Sequence, residues 1–169
     1  PPTSLPGVPF APVPCGQGVH NSTSTMTRIA MSEEKPLAEV IELLRKERAG
    51  MLTTLSDEVL VSRPTNVLDV DDDHVVWAML AADSDTADQI RQDPRVCMTF
   101  SGYGHISVNG TAEIAHDPAR LAELWNPQAA ATMQCESDDP KVALLKLTPV
   151  TIGCWTTASS PAQVVTLRP

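Results

Sequence analysis

The chain has 169 residues, of which 42% are hydrophobic, and a formal net charge of −9 at pH 7. This length supports one core-bearing domain and hardly two. The acidic balance excludes nucleic acid and anionic membrane surfaces as expected partners, because both require clustered Lys and Arg.

The sequence indicates neither a membrane segment nor a metal site. No apolar run approaches the roughly 20 residues that span a bilayer, and no charged segment precedes a short apolar block as in a secretory signal. We therefore expect a cytoplasmic protein. The four cysteines and four histidines are scattered without metal-ligand spacing, so reduced thiols and no metal are predicted.

Composition divides the chain into three parts. Residues 1–31 are rich in Pro, Ser, Thr and Gly and show no hydrophobic period, so we predict a disordered or extraneous tail. Met26 and Met31 are alternative natural start residues within it. Residues 32–157 carry the periodic patterns of a folded domain, and residues 158–169 form a C-terminal extension that is a candidate edge strand.

The first predicted elements are a helix and a β-hairpin. Pro36 opens a helix whose apolar residues recur on one face, and the helix ends near Gly50. Alternating residues on both sides of the turn at 56–57 predict the hairpin. Pro64 keeps Arg63 extended and removes one donor from the ladder, so Arg63 is expected at an irregular strand edge.

An acidic turn, a buried strand and a short helix follow the hairpin. Residues 71–73 are all Asp, and residues 75–80 form the nearly unbroken apolar run that is typical of a buried strand. Ser84 is the predicted N-cap of the helix that closes at 93–94. Because helix N-termini and arginines both bind phosphate, Arg63 and Ser84 together form a candidate phosphate site.

The second half of the chain is dominated by strand patterns. Residues 105–114 alternate between a polar face and an apolar face. A helix begins at Asp117-Pro118 and stops at 126–127, and residues 128–139 are compatible with either a second short helix or a loop. Two strands, 142–147 and 150–155, are predicted with a break between them.

These patterns together indicate the fold class. Six or seven strands with short, mostly antiparallel connections and only peripheral helices favour a mainly β (α+β) domain, a barrel or sandwich with helices at its rim. No internal repeat is present.

Six short motifs occur in an order that matches a known family: Ser62-Arg63-Pro64, Trp77, the Ser84 helix with its 93–96 exit, 107–112, 124–127 and Trp155. In this order they make residues 36–155 resemble the FMN-binding split-barrel proteins of the pyridoxamine 5′-phosphate oxidase superfamily, in particular the general stress protein 26 branch. The resemblance implies a six- to seven-stranded antiparallel split β-barrel and a homodimer that binds FMN at the subunit interface.

The resemblance also implies which residues hold the FMN phosphate. Arg63 matches the arginine that approaches the phosphate, and Ser84 matches the serine at the start of the phosphate-binding helix. Leu80 stands where relatives typically carry Thr, and Thr86 stands where they carry a Lys that pairs with phosphate. Asp85 adds a negative charge there, although it also complements the helix dipole. We therefore expect weaker FMN affinity than in the oxidases.

At the flavin ring the resemblance implies four further contacts. Pro64 and Thr65 would supply backbone near the ring, His105 takes the place of a glutamine beside the isoalloxazine, and Trp155 matches a late aromatic residue that helps to close the site. Alternatives remain for three of the candidates: Arg63 as a strand arginine paired with a carboxylate, His105 as an ordinary surface histidine, and Trp155 as a core or dimer-interface aromatic.

Two functions are compatible with these residues. The first is an FMN-binding, small-molecule oxidoreductase of the general-stress-protein type, in which the flavin carries the redox chemistry and no catalytic side chain is identified. The alternative is a degenerate split barrel that has lost FMN and acts as a non-enzymatic binding or stress-response module.

Overall fold

The computed structural model of the protein describes residues 37–155, 157 and 160–167, so the predicted N-terminal tail and its start residues lie outside the described residues. The elements in chain order are α1 (Leu37–Leu44), β1 (Ala49–Ser56), β2 (Val59–Val70), β3 (Val76–Ala81), α2 (Asp85–Gln92), β4 (Arg95–Phe100), β5 (His105–Ala115), α3 (Pro118–Leu124), α4 (Pro127–Met133), β6 (Val142–Trp155) and β7 (Gln163–Thr166). None of the described helices is long and apolar enough to cross a membrane.

The strands form one antiparallel sheet that closes on itself. Their order is β3-β2-β1-β4-β5-β6-β7, and an additional pairing of β3 with β6 closes the first six strands into a barrel. Strand β7 pairs with the second half of β6, outside the barrel. The predicted mainly β split barrel with peripheral helices is therefore confirmed.

The barrel core follows from strands that present every second side chain to the interior. Ile106 and Val108 of β5 are buried, as are Leu52 of β1 and Met98 of β4. Helices α1 and α2 add apolar side chains to the same core cluster, among them Ile90 of α2. Each such side chain contributes about 1.5–3 kcal/mol when fully buried, so the helices are held by the core rather than by helix propensity.

The first helix is shorter than the sequence pattern predicted. It ends at Leu44, and the backbone at 47–48 is already tied to the sheet, because the Val67 amide donates to the Arg48 carbonyl. Gly50 lies inside β1, where an added Cβ would approach the Phe100 ring to 2.7 Å. The glycine therefore permits close packing in the sheet and does not terminate the helix.

Residues 128–139, left open by the sequence, begin with a helix. The Asn126 side chain accepts a hydrogen bond from the Ala129 amide at 2.9 Å, and Pro127 occupies the first turn of α4. The dipeptide that stops α3 therefore also starts α4. Gln134 ends that helix in the left-handed conformation with φ 56°.

The predicted break at Thr148-Pro149 is wrong, because β6 is one continuous strand of 14 residues. The buried Pro149 lies at a register shift in the β5–β6 ladder, next to Gly110. A bulge interrupts the ladder locally, so the missing N–H of proline does not remove a regular ladder bond there. A Cβ on Gly110 would lie 2.1 Å from the Thr148 carbonyl oxygen.

Replacing Gly110 with Ala tests this close approach. The new methyl group must displace the β6 backbone, so we expect Gly110→Ala to lower the free energy of unfolding by at least about 2 kcal/mol in urea titrations. Gly104→Ala is the matched control, because its Cβ would meet nothing closer than 3.6 Å. Equal stability of the two variants would contradict the continuous, bulged β6.

Candidate cofactor-binding site

Arg63 is held by two neutral side chains at the α2 end of the barrel. Its Nη1 donates to the Thr54 hydroxyl at 2.5 Å, and its Nη2 donates to Gln89 Oε1 at 2.7 Å. The Thr54 hydroxyl donates to the same Gln89 oxygen at 2.6 Å, which closes a ring of hydrogen bonds. We call Thr54, Arg63 and Gln89 the arginine triad.

No carboxylate of the described residues pairs with Arg63, so the alternative of a strand arginine paired with a carboxylate is not observed there. The nearby arginines differ: Arg91 pairs with Asp88 at 2.7 Å, and Arg95 pairs with Asp93. Hydrogen bonds from Arg95 lower the pKa of the Asp93 carboxyl to about 2. The Arg63 guanidinium is instead partly desolvated, and this burial lowers its pKa.

Ser84 caps α2 as predicted, and this role uses its side chain. The hydroxyl accepts from the Ala87 amide at 3.3 Å and donates to the Ala81 carbonyl at 2.7 Å. Since the first amides of a helix have no intrahelical partner, the amides of Asp85 and Thr86 remain available for an anion. The start of α2 can therefore offer backbone donors to a phosphate, while the Ser84 hydroxyl is already occupied.

The first turn of α2 carries no basic side chain. Asp85 is exposed and Thr86 is half-buried at the position of the expected lysine. A cation does lie close by, because Arg91 reaches back to donate to the Ala82 carbonyl at 3.0 Å. Leu80 is half-buried and packs against the main core cluster, so its side chain serves the barrel interior.

The arginine triad and the helix cap lie at different points of α2. Gln89 follows Ser84 by five residues, which corresponds to roughly 7 Å along the helix axis. A phosphate that contacts both the free amides of the first turn and the guanidinium of Arg63 would have to bridge that interval.

Strand β2 exposes an unpaired backbone edge beside Arg63. Its pairing with β3 begins only at Val67, whereas residues 59–66 pair with β1 alone among the described strands. Pro64 is exposed on this stretch and Thr65 is 9% exposed. The backbone of Pro64 and Thr65 therefore has no partner strand on the side away from β1 among the described strands.

His105 and Trp155 are brought together, but far from Arg63. They face each other across the β5–β6 ladder. Arg63 pairs with Leu52, Leu52 with Met98 and Met98 with Val108, so Arg63 lies in the same cross-strand row as Val108. Val108 and His105 are three residues apart, so their side chains point to opposite faces. Arg63 and His105 are separated by three strand spacings across the sheet and by three residues along a strand, which together amount to roughly 17 Å. One chain therefore does not bring His105 and Trp155 together with Arg63.

A cavity next to the β2 edge is too small for a flavin in a single chain. Its volume is about 230 Å³, whereas cofactor and ligand pockets typically enclose roughly 300–1,000 Å³. It is lined by Arg48, Asn66, Val67, Leu68, Met79, Asn126, Gln128 and Ala129. None of the eight predicted contact residues is among them.

Sequence reasoning missed Thr54 and Gln89. Thr54 was detectable in principle, because the hairpin register pairs Leu52 with Arg63 and places Thr54 diagonally opposite on the same face. A buried threonine next to an arginine calls for a shared hydrogen-bond partner. Gln89 gave no such signal, since its proximity depends on how α2 packs across the barrel end.

The comparisons with known proteins identify the family and the fold. The family model described as pyridoxamine 5′-phosphate oxidase like matches residues 35–167. General stress protein 26 from Bacillus anthracis is 20% identical, with 77% of this chain and 97% of that chain covered and a TM-score of 0.67. No curated protein matches the sequence.

Two further solved structures share the fold. A Clostridium acetobutylicum protein related to general stress protein 26 is 18% identical, covers 77% of this chain and 93% of that chain, and has a TM-score of 0.67. A protein assigned to the general stress family from Xanthomonas campestris is 27% identical, covers 78% and 93%, and has a TM-score of 0.61.

Proposed function

The chain belongs to the pyridoxamine 5′-phosphate oxidase-like family, and we propose that it binds FMN, with the phosphate between Arg63 and the start of α2. The observation that carries this proposal is the partly buried Arg63 guanidinium, whose described partners are the neutral Thr54 and Gln89. A desolvated cation without a counter-ion is stabilised by an anion, and phosphate accepts the charge-assisted hydrogen bonds that a guanidinium offers.

The remaining phosphate contacts would come from the backbone. The Asp85 and Thr86 amides at the start of α2 supply donors and the positive end of the helix dipole. The Pro64 and Thr65 backbone on the unpaired β2 edge would lie beside the ring. When bound, flavin supplies the redox chemistry, so we propose a cytoplasmic flavin-dependent oxidoreductase whose side chains bind and orient.

A homodimer would complete this site. His105 and Trp155 lie at the far end of the sheet from Arg63 and on its other face, so these two ring contacts would come from a second copy. On the outer face of the sheet Met51 and Val164 are 42% and 63% exposed, at the two ends of one cross-strand row that runs through Thr99, Ser107 and Gly153. A second copy packed on this face would cover both apolar side chains.

The alternative function, a split barrel without flavin, is favoured by the first turn of α2. Asp85 is exposed there, and no basic side chain occupies the turn. Like charges about 4 Å apart repel by roughly 4 kcal/mol at an effective dielectric constant of 20, although exposure to water reduces this strongly. In that case the same pocket would serve a ligand of lower negative charge, or a non-enzymatic binding role.

Titration with FMN and with riboflavin separates the two functions. We expect flavin absorption bands in the purified protein or saturable FMN binding. FMN should bind about ten- to a hundredfold more tightly than riboflavin, because a charge-assisted phosphate contact contributes roughly 1.5–3 kcal/mol. Arg63→Ala should reduce this ratio towards one. Absence of flavin bands and of binding at high micromolar FMN would favour the module without flavin.

Restoring positive charge to α2 tests where the phosphate lies. The double variant Asp85→Arg, Thr86→Lys should tighten FMN binding by about ten- to a hundredfold, and the gain should shrink as salt is raised. The same charges placed by Glu123→Arg and Ala122→Lys at exposed positions of α3 serve as the control. A folded double variant whose FMN affinity equals that of the control would mean that the start of α2 does not receive the phosphate.

The homodimer is tested by sedimentation of the purified protein. An isologous interface of about 1,600 Å² would hold two 18.1 kDa chains together at micromolar concentration. Replacing Val164 with Lys, which places a charge on this outer face, should shift the equilibrium towards monomer. A wild-type protein that sediments as a monomer would remove the composite site.

A further inference from the structure

We propose that Thr54 and Gln89 are the positioning residues of Arg63, which hold its guanidinium as a preorganised, uncompensated cation for the phosphate. This inference rests on the proposed function. It assigns a role to two residues that the sequence did not single out, and it follows from the geometry of the arginine triad.

The Arg63 guanidinium is held in place by two hydrogen bonds and keeps further donors free. Two of its five N–H groups are engaged by Thr54 and Gln89, so donors remain for a ligand. Thr54 is 1% exposed and lies within β1, which makes it a rigid anchor. A free arginine side chain loses rotamer entropy when a ligand immobilises it, and the triad removes much of that loss before a ligand arrives.

Both side chains that hold Arg63 are electrically neutral. The chain carries 21 Asp and Glu against 12 Lys and Arg, and the neighbouring Arg91 and Arg95 are both paired with carboxylates. At Arg63 the corresponding acceptor is the Gln89 carboxamide, which orients the cation without cancelling its charge. A glutamate of the same shape at this position would orient it equally well and neutralise it.

The three hydrogen bonds of the arginine triad depend on one another. Gln89 Oε1 accepts from both Arg63 and Thr54, and the Thr54 hydroxyl accepts from Arg63 while it donates to Gln89. Each group therefore fixes the other two. Loss of the Thr54 hydroxyl should loosen Arg63 even though Thr54 itself has no access to a ligand.

The decisive variant is Gln89→Glu, measured by titration with FMN and riboflavin. The new carboxylate pairs with Arg63, so FMN affinity should fall at least about tenfold while riboflavin affinity stays unchanged. Stability should be retained, which circular dichroism and urea unfolding will show. Gln92→Glu adds the same charge to an exposed position of the same helix and should change FMN affinity only slightly.

A second variant keeps the test decisive if Gln89→Glu disturbs folding. Thr54→Val preserves the side-chain shape and removes the hydroxyl, so it should weaken FMN about three- to tenfold without affecting riboflavin. Thr54→Ser retains the hydroxyl and should restore the FMN preference. A merely structural role for Thr54 would lower the affinity for both flavins in parallel.

The outcomes distinguish this inference from the proposed function. A wild-type protein that does not prefer FMN over riboflavin overturns the phosphate site itself. A wild-type preference for FMN that persists in both Gln89→Glu and Thr54→Val overturns only the positioning role. Tighter FMN binding in either variant overturns it as well, because the triad would then be an internal competitor of the phosphate.

Discussion

The pairing of β3 with β6 is the constraint on which the rest of the molecule depends. Six residue pairs along residues 76–81 and 142–147 close the barrel and separate a dry inner face from an outer face. Closure also fixes where β3 ends and α2 begins. Because α2 must then bury Ala87 and Ile90 against the barrel, its Gln89 is carried to the inner-face side chains of β1 and β2.

Arg63 differs from most of the described arginines in the kind of side chain that it contacts. Four of the described arginines, Arg45, Arg91, Arg95 and Arg120, pair with carboxylates. Arg63 is surrounded by neutral oxygens and is partly desolvated. Ion pairs at the surface contribute little to stability, whereas a desolvated cation without a counter-ion is costly unless a ligand compensates it. The binding role proposed for Arg63 rests on this contrast.

The geometry also explains why the predicted contacts fall into two groups. A sheet strand presents alternate residues to opposite faces, so Arg63 on the inner face and His105 on the outer face cannot meet within one chain. The chain matches the family model over residues 35–167, and its barrel has an open β2 edge and a capped α2. Leu80 in β3 and Asp85 and Thr86 in the first turn of α2 depart from the residues that the resemblance implies at these positions.

The sequence by itself determined the elements whose physical causes lie within a few neighbouring residues. Alternation predicted the strands, the side chain of Ser84 predicted the cap, and Pro64 kept Arg63 extended. Tertiary structure decided the rest. Pro149 is tolerated within β6 only because a bulge lies there, and Arg63 finds Gln89 only because α2 crosses the barrel end. Partners that are 26 residues apart in the chain are set by packing, which no local pattern encodes.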